Sequence, residues 1–338
     1  MSKNNHSMQK RTIASFGYHN QSAPRHTNMC RLLRSEGWNI IECHTTTRGF
    51  LRKCMDLTRQ YWNVRRETTA LLVTFPGHHL VPLAWLLTRL PRKRLLFDAF
   101  ISLTDTLVSD RKRLSWYNPI AWMLFFAEYM SYHLADEILI DTEAHKHFFA
   151  KRFFLNPNRI RVIYLGTRED LFAPRGTSCS RTDASIEILF YGTFIPLQGI
   201  EHIIDAAAIL QNNHPEIHFT LIGSGQTRKE MEARAQEKKL RNLRFEECIA
   251  YEALPQRIRN ADICLGIFGT SGKAQRVIPH KVYDAVACGV PVITARSPAI
   301  LERFVDGREV ILCNPGDPQD LSRTILRMAG TLRSRNTC

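Results

Sequence analysis

Short apolar runs, each about the length of a buried strand, alternate along this 338-residue chain with longer segments whose apolar residues recur every three or four positions. No other feature limits the fold as strongly. Strands apolar on both faces must be covered by helices on both faces, and a mostly parallel sheet is the layered structure that allows it. The spacing predicts strands at Thr12–Phe16, Trp38–Cys43, Leu71–Phe75, Leu95–Asp98, Glu137–Asp141 and Arg159–Leu165 in the first half. In the second half it predicts Ile186–Tyr191, Ile217–Ile222, Leu243–Glu246, Ile263–Ile267 and Val290–Thr294. Helices are expected near Leu80–Leu90, Pro119–Leu134, Glu143–Phe153 and Thr227–Lys239, and through Ile200, Ile203, Ile204, Ala207 and Leu210. Residues 44–70 read as a helix with a basic outer face. Leu171–Ser185 holds Pro174 and Gly176 and little apolar content, so it reads as a linker between two α/β domains, 1–172 and 173–338, with a ligand cleft between them.

A composition of 44% hydrophobic and 23% charged residues excludes wholesale disorder. No run reaches the ~18 uncharged apolar residues of a spanning helix. The polar start, Met1–Arg11, does not resemble a secretory signal, so a cytoplasmic location is the default expectation. Nine cysteines without a C-x-x-C pair or metal-ligand spacing suggest reduced thiols, several of them in apolar runs (Cys43, Cys264, Cys288). The net charge of +14 is uneven: residues 1–174 hold 25 Lys and Arg against 14 Asp and Glu, and residues 175–338 hold 21 against 18. A basic first half suits an anionic membrane surface, or only solubility. Nucleic acid ranks lower, since no zinc finger, aromatic RNA-binding signature or basic heptad region is present. Trp116–His133 reads as a core helix; with Arg92–Arg94, Arg111–Arg113 and Lys151–Phe154 it would alternatively form an apolar and basic face resting on an anionic bilayer.

Gly272–Pro291 is the stretch that points to chemistry. A small basic loop leads through Pro279 into a short helix that stops at Gly289, with Lys273, Arg276, His280 and Lys281 around the helix start. Backbone N–H groups and cations at one helix N-terminus favour an anion, and Asp284 one turn further on suits sugar hydroxyls. The pattern reads as a diphosphate-plus-sugar site. Asp284 on a solvated helix face is the plainer alternative. Two glycine turns follow predicted strands, Tyr191–Gly199 and Leu221–Gly225, where a backbone without side chains lets a phosphate approach closely.

Asp262–Leu265, Lys273, Ile278–Ala287 and Gly289–Thr294 resemble the C-terminal signature of the retaining glycosyltransferases of family four, which have the GT-B fold. Tyr191–Gly199 and Leu221–Gly225 extend the resemblance, which is strong in the second half of the chain and loose in the first. It implies two Rossmann-like domains facing each other across a cleft. It further implies transfer, with retention, of a sugar from a nucleotide diphosphate sugar to a hydroxyl of a lipid-linked or saccharide acceptor, in envelope or exopolysaccharide synthesis. The leaving diphosphate would help to deprotonate the acceptor, and neither metal nor cofactor is expected. The donor site would comprise Gly17, Gly192, Thr193, Gly223, Gly225 and Asp284. Arg276 and Lys281 would serve catalysis, with Asp98 and Asp105 orienting the acceptor or merely capping their segments. Acceptor candidates are His19, Arg25, His78 and His79; which of His78, His79 and Asp98 fills the family's strand-end place stays open.

Two departures count against a simple transfer of roles. Thr193 and Gln198 stand where the family carries an Arg and a Lys, and Arg276 stands at the first of its paired acids unless a small gap moves that match to Thr270–Gly272. Either Arg276 and Lys281 supply the missing charge, or the chain is a non-catalytic homologue that binds sugar or scaffolds a true transferase.

Overall fold

The computed structural model describes residues 11–174 and 185–336, so most of the expected linker and nearly all of the polar start lie outside the described residues. The chain divides into two compact units. The first runs to Thr104 and includes Leu114–Asp141 and Lys146–Tyr164; the second takes in Asp105–Arg113, Thr142–His145 and the chain from Leu165 on.

The first unit is built on six parallel strands: β1 (Arg11–Gly17), β2 (Trp38–His44), β3 (Ala70–Val73), β4 (Arg94–Phe100), β5 (Glu137–Ile140) and β6 (Ile160–Val162), in the order β2-β1-β3-β4-β5-β6. Every residue of β3 and β5 is buried, as a strand covered on both faces requires. The connecting helices are α1 (Pro24–Ser35), α2 (Phe50–Val64), α3 (Val81–Leu87), α4 (Pro119–Leu134) and α5 (Glu143–Arg152).

In the second unit the strands are β7 (Ile186–Tyr191), β8 (Ile217–Ile222), β9 (Leu243–Glu246), β10 (Ile263–Leu265), β11 (Val292–Ala295) and β12 (Ile311–Cys313), in the order β12-β11-β10-β7-β8-β9 and again parallel. The helices are α6 (Ile200–Leu210), α7 (Arg228–Glu237), α8 (Leu254–Arg259), α9 (His280–Ala287) and α10 (Pro318–Asn336). Ile203, Ile204, Ala207 and Leu210 of α6, fully buried, meet Leu321 and Ile325 of α10 in one core.

Two local expectations change and a third holds for one face. β12 was not foreseen, because three residues are too few to show a period. α2 forms within residues 44–70, but Arg52 and Arg59 share its outer face with exposed Phe50, Leu51, Met55 and Trp62. α4 packs on the core with one face, through Tyr132, Phe125, Tyr129 and Leu134, and leaves the other outside. It buries only a stripe with Ala121, Glu128, Ser131 and Tyr132, and leaves Ile120, Trp122, Met123 and Phe126 about half exposed or more. The stripe is partly polar because Glu128 accepts hydrogen bonds from Thr104 Oγ1 (2.5 Å) and Tyr132 Oη (3.0 Å), closing the turn after β4.

Candidate functional site

Two glycine turns at the carboxyl ends of β7 and β8 lie directly on one another. The Gly192 N–H donates to the Ile222 carbonyl (3.0 Å) and the Phe194 N–H to the Ser224 carbonyl (2.8 Å). Gly192, Gly223 and Gly225 adopt φ of 148°, 138° and 151°, a region that side chains disfavour. A Cβ on Gly223 would run into the Gly192 carbonyl oxygen, and one on Gly225 would lie 2.5 Å from that of Phe194. The glycines are therefore needed for the two backbones to touch. Together with Thr193, Cys248 and Ile249 they wall a cavity of about 330 Å³. The structure thus brings together Gly192, Thr193, Gly223 and Gly225 as the sequence reading grouped them.

α9 delivers the cation to this place. Pro279 is its N-cap rather than its first residue, and Gly289 ends it at φ 71°. In its first turn Lys281 is buried; its Nζ donates to Gln198 Oε1 at 2.6 Å and stands 3.6 Å from the Phe190 ring centre. The ammonium faces the Gly192 turn so closely that a Cβ there would meet it at 3.1 Å. Burial holds the Lys281 pKa well below its ordinary value.

The other cations of that stretch do not converge with Lys281. Arg276 Nη2 pairs with Asp105 Oδ2 at 2.8 Å, and Lys273 Nζ donates to Thr106 Oγ1 at 2.7 Å. Asp105 and Thr106 belong to a six-residue π-helical turn, Asp105–Asp110, that the apolar period could not reveal. Against the expectation that the cations gather on one anion, Arg276 and Lys273 thus take partners different from that of Lys281. Asp284 is buried, which corrects the alternative of a solvated helix face. Its Oδ1 accepts from Thr167 Oγ1 at 2.5 Å, and burial lifts its pKa to about 7 despite that bond. Nothing in the sequence around Thr167 pointed to this pairing. The Gln198 and Phe190 contacts of Lys281 were equally hidden.

In the first unit, Asp98 and Arg25 face each other. Both are buried; Arg25 Nη2 donates to Asp98 Oδ1 at 2.6 Å and Nη1 to the Ile163 carbonyl at 2.5 Å. His78 is sealed among Phe75, Phe97 and Tyr132, where burial lowers its pKa to about 3 and Nε2 bonds Tyr132 Oη at 3.2 Å. His79, next in sequence, is exposed beside Tyr18 and Phe50. Gly17 leaves room for Thr74 Oγ1, which bonds His19 Nδ1 at 2.6 Å. Of the acceptor candidates only His79 presents its ring to solvent; the others are tied into the interior of the unit.

The profile of a family described as glycosyl transferases group 1 matches residues 180–331. A candidate colanic acid biosynthesis glycosyl transferase of Escherichia coli K12, WcaI, is 33% identical over 111 residues, which is 32% of this chain and 26% of that protein. Chitobiosyldiphosphodolichol beta-mannosyltransferase of Kluyveromyces lactis is 21% identical over 295 residues, 77% of this chain and 65% of that protein. The chain thus spans between 26% and 65% of the lengths of these two curated relatives. Among solved structures, Anabaena HepE in complex with UDP and glucose is similar at a TM-score of 0.63 and 16% identity, covering 97% of this chain and 91% of that one. That likeness is one of fold: the two sheets are the two Rossmann-like domains of GT-B proteins.

Proposed function

Because this chain belongs, through residues 180–331, to the glycosyl transferases group 1, we propose that it transfers a sugar from a nucleotide diphosphate sugar to a hydroxyl of a lipid-linked or saccharide acceptor. The observation that carries the reading is the position of Lys281. Its ammonium sits at the Gly192 turn against Gln198, the residue at the sequence position where the resembling family carries its loop lysine. A leaving diphosphate held there gains charge stabilisation in a water-poor setting, the largest contribution a protein makes to such a transfer. Asp284 and the cavity between the glycine turns are assigned to the nucleoside. HepE, similar in fold, was crystallised with UDP and glucose, which makes UDP the first probe.

The acceptor is assigned to the first unit, and the product is expected to retain the donor's anomeric configuration, with a diphosphate oxygen taking the acceptor proton. No metal is assigned to the donor diphosphate. A place in envelope or exopolysaccharide synthesis is supported by WcaI's description. Membrane attachment is supported by the aromatic outer face of α4, beside exposed Lys151 and Arg152. Among the described residues no helix is long and apolar enough to cross a membrane.

The deciding experiment is donor hydrolysis and transfer by the purified chain across UDP-, GDP- and ADP-sugars, with Lys281→Ala alongside. Turnover that is unchanged in Lys281→Ala removes the diphosphate assignment. A second reading, a homologue that binds sugar nucleotide without turnover, is favoured by Arg276, which stands at the family's first acid position and is engaged by Asp105. Nucleotide-sugar binding without any product would select it.

A further inference from the structure

Outside these residues, four side chains of the first unit bring donor atoms to one point. His19 comes from the loop after β1, His26 and Cys30 from successive turns of α1, and Glu42 from β2. His26 Nε2 is the hub: it lies 3.2 Å from His19 Nε2, 3.1 Å from Glu42 Oε1 and 3.4 Å from Cys30 Sγ. His19 Nε2 is 3.8 Å from Glu42 Oε2, and Cys30 Sγ is 4.0 Å from Glu42 Oε1.

Hydrogen bonding does not account for this convergence, because a ring nitrogen carries one proton at most and three donor or acceptor atoms crowd the one at His26 Nε2. A tetrahedral ion does account for it. With metal–nitrogen and metal–oxygen bonds of about 2.0–2.1 Å and a metal–sulfur bond of about 2.3 Å, the ligand atoms stand roughly 3.3–3.6 Å from one another. The five separations scatter around that edge length; the ligand atoms of His19, His26 and Glu42 already lie within 4.8 Å of one another, and Cys30, held 3.4 Å from His26, closes toward His19 when the ion binds.

The surroundings also suit a metal. His19 Nδ1 is 2.6 Å from Thr74 Oγ1, which fixes the ring and leaves Nε2 to ligate; only a glycine at position 17 leaves the threonine this room. His19, His26 and Cys30 are buried while Glu42 is exposed, which gives an ion a way in.

We propose that His19, His26, Cys30 and Glu42 form a zinc site that fastens the loop after β1 to α1 and β2. Two imidazoles, a carboxylate and a thiolate are a donor set that zinc takes, and four protein ligands make the site closed and structural. On binding, Cys30 gives up its thiol proton to solvent and the ion takes the sulfur lone pair. The proposal does not depend on the transferase reading.

The test is a titration of the chelator-treated full chain with Co²⁺, followed in the near-ultraviolet and visible, then displacement by Zn²⁺ with metal analysis. Expected are one ion per chain, a thiolate-to-cobalt band, tetrahedral visible bands and a higher melting temperature with zinc. Cys30→Ser should lose the thiolate band, Glu42→Gln should bind at least tenfold more weakly, and Thr74→Val should weaken binding about tenfold. Cys248→Ser, at an exposed cysteine, should behave as the native chain. Folded native chain that takes up less than one ion, or a thiolate band that survives Cys30→Ser, overturns the proposal. Both readings need only the native fold or the conservative serine variant.

Discussion

Lys281 and Gln198, 83 residues apart, meet at 2.6 Å, the ammonium donating to the amide oxygen. The cation therefore reaches the Gly192 turn from α9 rather than from the turn itself. Since burial holds the lysine pKa well below its ordinary value, an anion arriving beside the ammonium should raise that pKa, and at a pH where part of the free protein carries the neutral amine binding should take up a proton. Calorimetry of UDP binding in buffers of different ionisation enthalpy measures that proton. Lys281→Met should abolish the uptake and weaken UDP at least tenfold, about 1.4 kcal/mol or more. The unliganded variant should also be the more stable below about pH 10, because the native lysine binds more protons unfolded than folded. Equal uptake and affinity in Lys281→Met would show that the diphosphate lies elsewhere.

Asp284 should make the chain lose stability as pH rises. Its carboxyl goes from an ordinary 3.8 to about 7 on folding, through burial, so the folded state holds a proton that the unfolded state releases. The destabilisation is absent below about pH 4, grows through pH 4–7 and is complete above 7, at an upper limit of roughly 4 kcal/mol. Asp284→Asn keeps an acceptor for Thr167 and removes the ionisation, so urea unfolding at pH 8 should show a more stable variant and at pH 4 none. If Asp284 also holds the donor ribose, the same variant should bind UDP more weakly. A variant equally stable relative to the native chain at both pH values contradicts the buried ionisation.

Both sheets were legible because their strands are apolar on two faces and bounded by helical periods; Ile186–Tyr191 and Ile217–Ile222 agree residue for residue with β7 and β8. The glycine turns were legible for a related reason, since a glycine after a strand has few other uses. What could not be read were side-chain directions. Arg276 and Lys281 are five residues apart around one helix start, yet they serve different partners, and those partners are supplied by turns distant in sequence. The zinc ligands show the same limit. His26 and Cys30, four apart on α1, were available to inspection, but only the pairing of β1 with β2 brings His19 and Glu42 to them.

Gly223→Ala is expected to be among the most damaging single methyl groups in the second unit. The added Cβ would run into the Gly192 carbonyl oxygen at a φ of 138°, so the two turns would have to separate. A loss of about 3 kcal/mol or more follows from strain and broken turn contacts. Gly307→Ala, also at positive φ but with nothing within 4 Å, isolates the backbone part and should cost about 1 kcal/mol. Chemical denaturation of both variants tests the difference; equal losses would mean that the contact between the turns is unimportant.

The outer face of α4 makes a separate prediction about membranes. Trp122, Met123 and Phe126 are each more than half exposed, and Arg152 lies over the rings of Trp116 and Phe125. Apolar groups framed by cations should bind anionic vesicles with a salt dependence. Trp122→Ser with Phe126→Ser should lower co-sedimentation with phosphatidylglycerol vesicles several-fold while leaving the melting temperature within a few degrees. Binding that is insensitive to both the substitutions and the salt would exclude this face.

Arg276 and Asp105 lie 2.8 Å apart, with the carboxylate buried and the guanidinium largely so. Removing either member of such a pair leaves the other desolvated, so Arg276→Ala and Asp105→Ala should each destabilise by about 3 kcal/mol. In the double variant the second loss should be much smaller than the first, because the stranded charge is gone as well. An arginine devoted to the donor would behave differently: Arg276→Ala would weaken UDP and leave unfolding unchanged, and the cycle with Asp105→Ala would be additive. Denaturation and UDP titration of the three variants separate the two cases, and additivity would return Arg276 to the diphosphate.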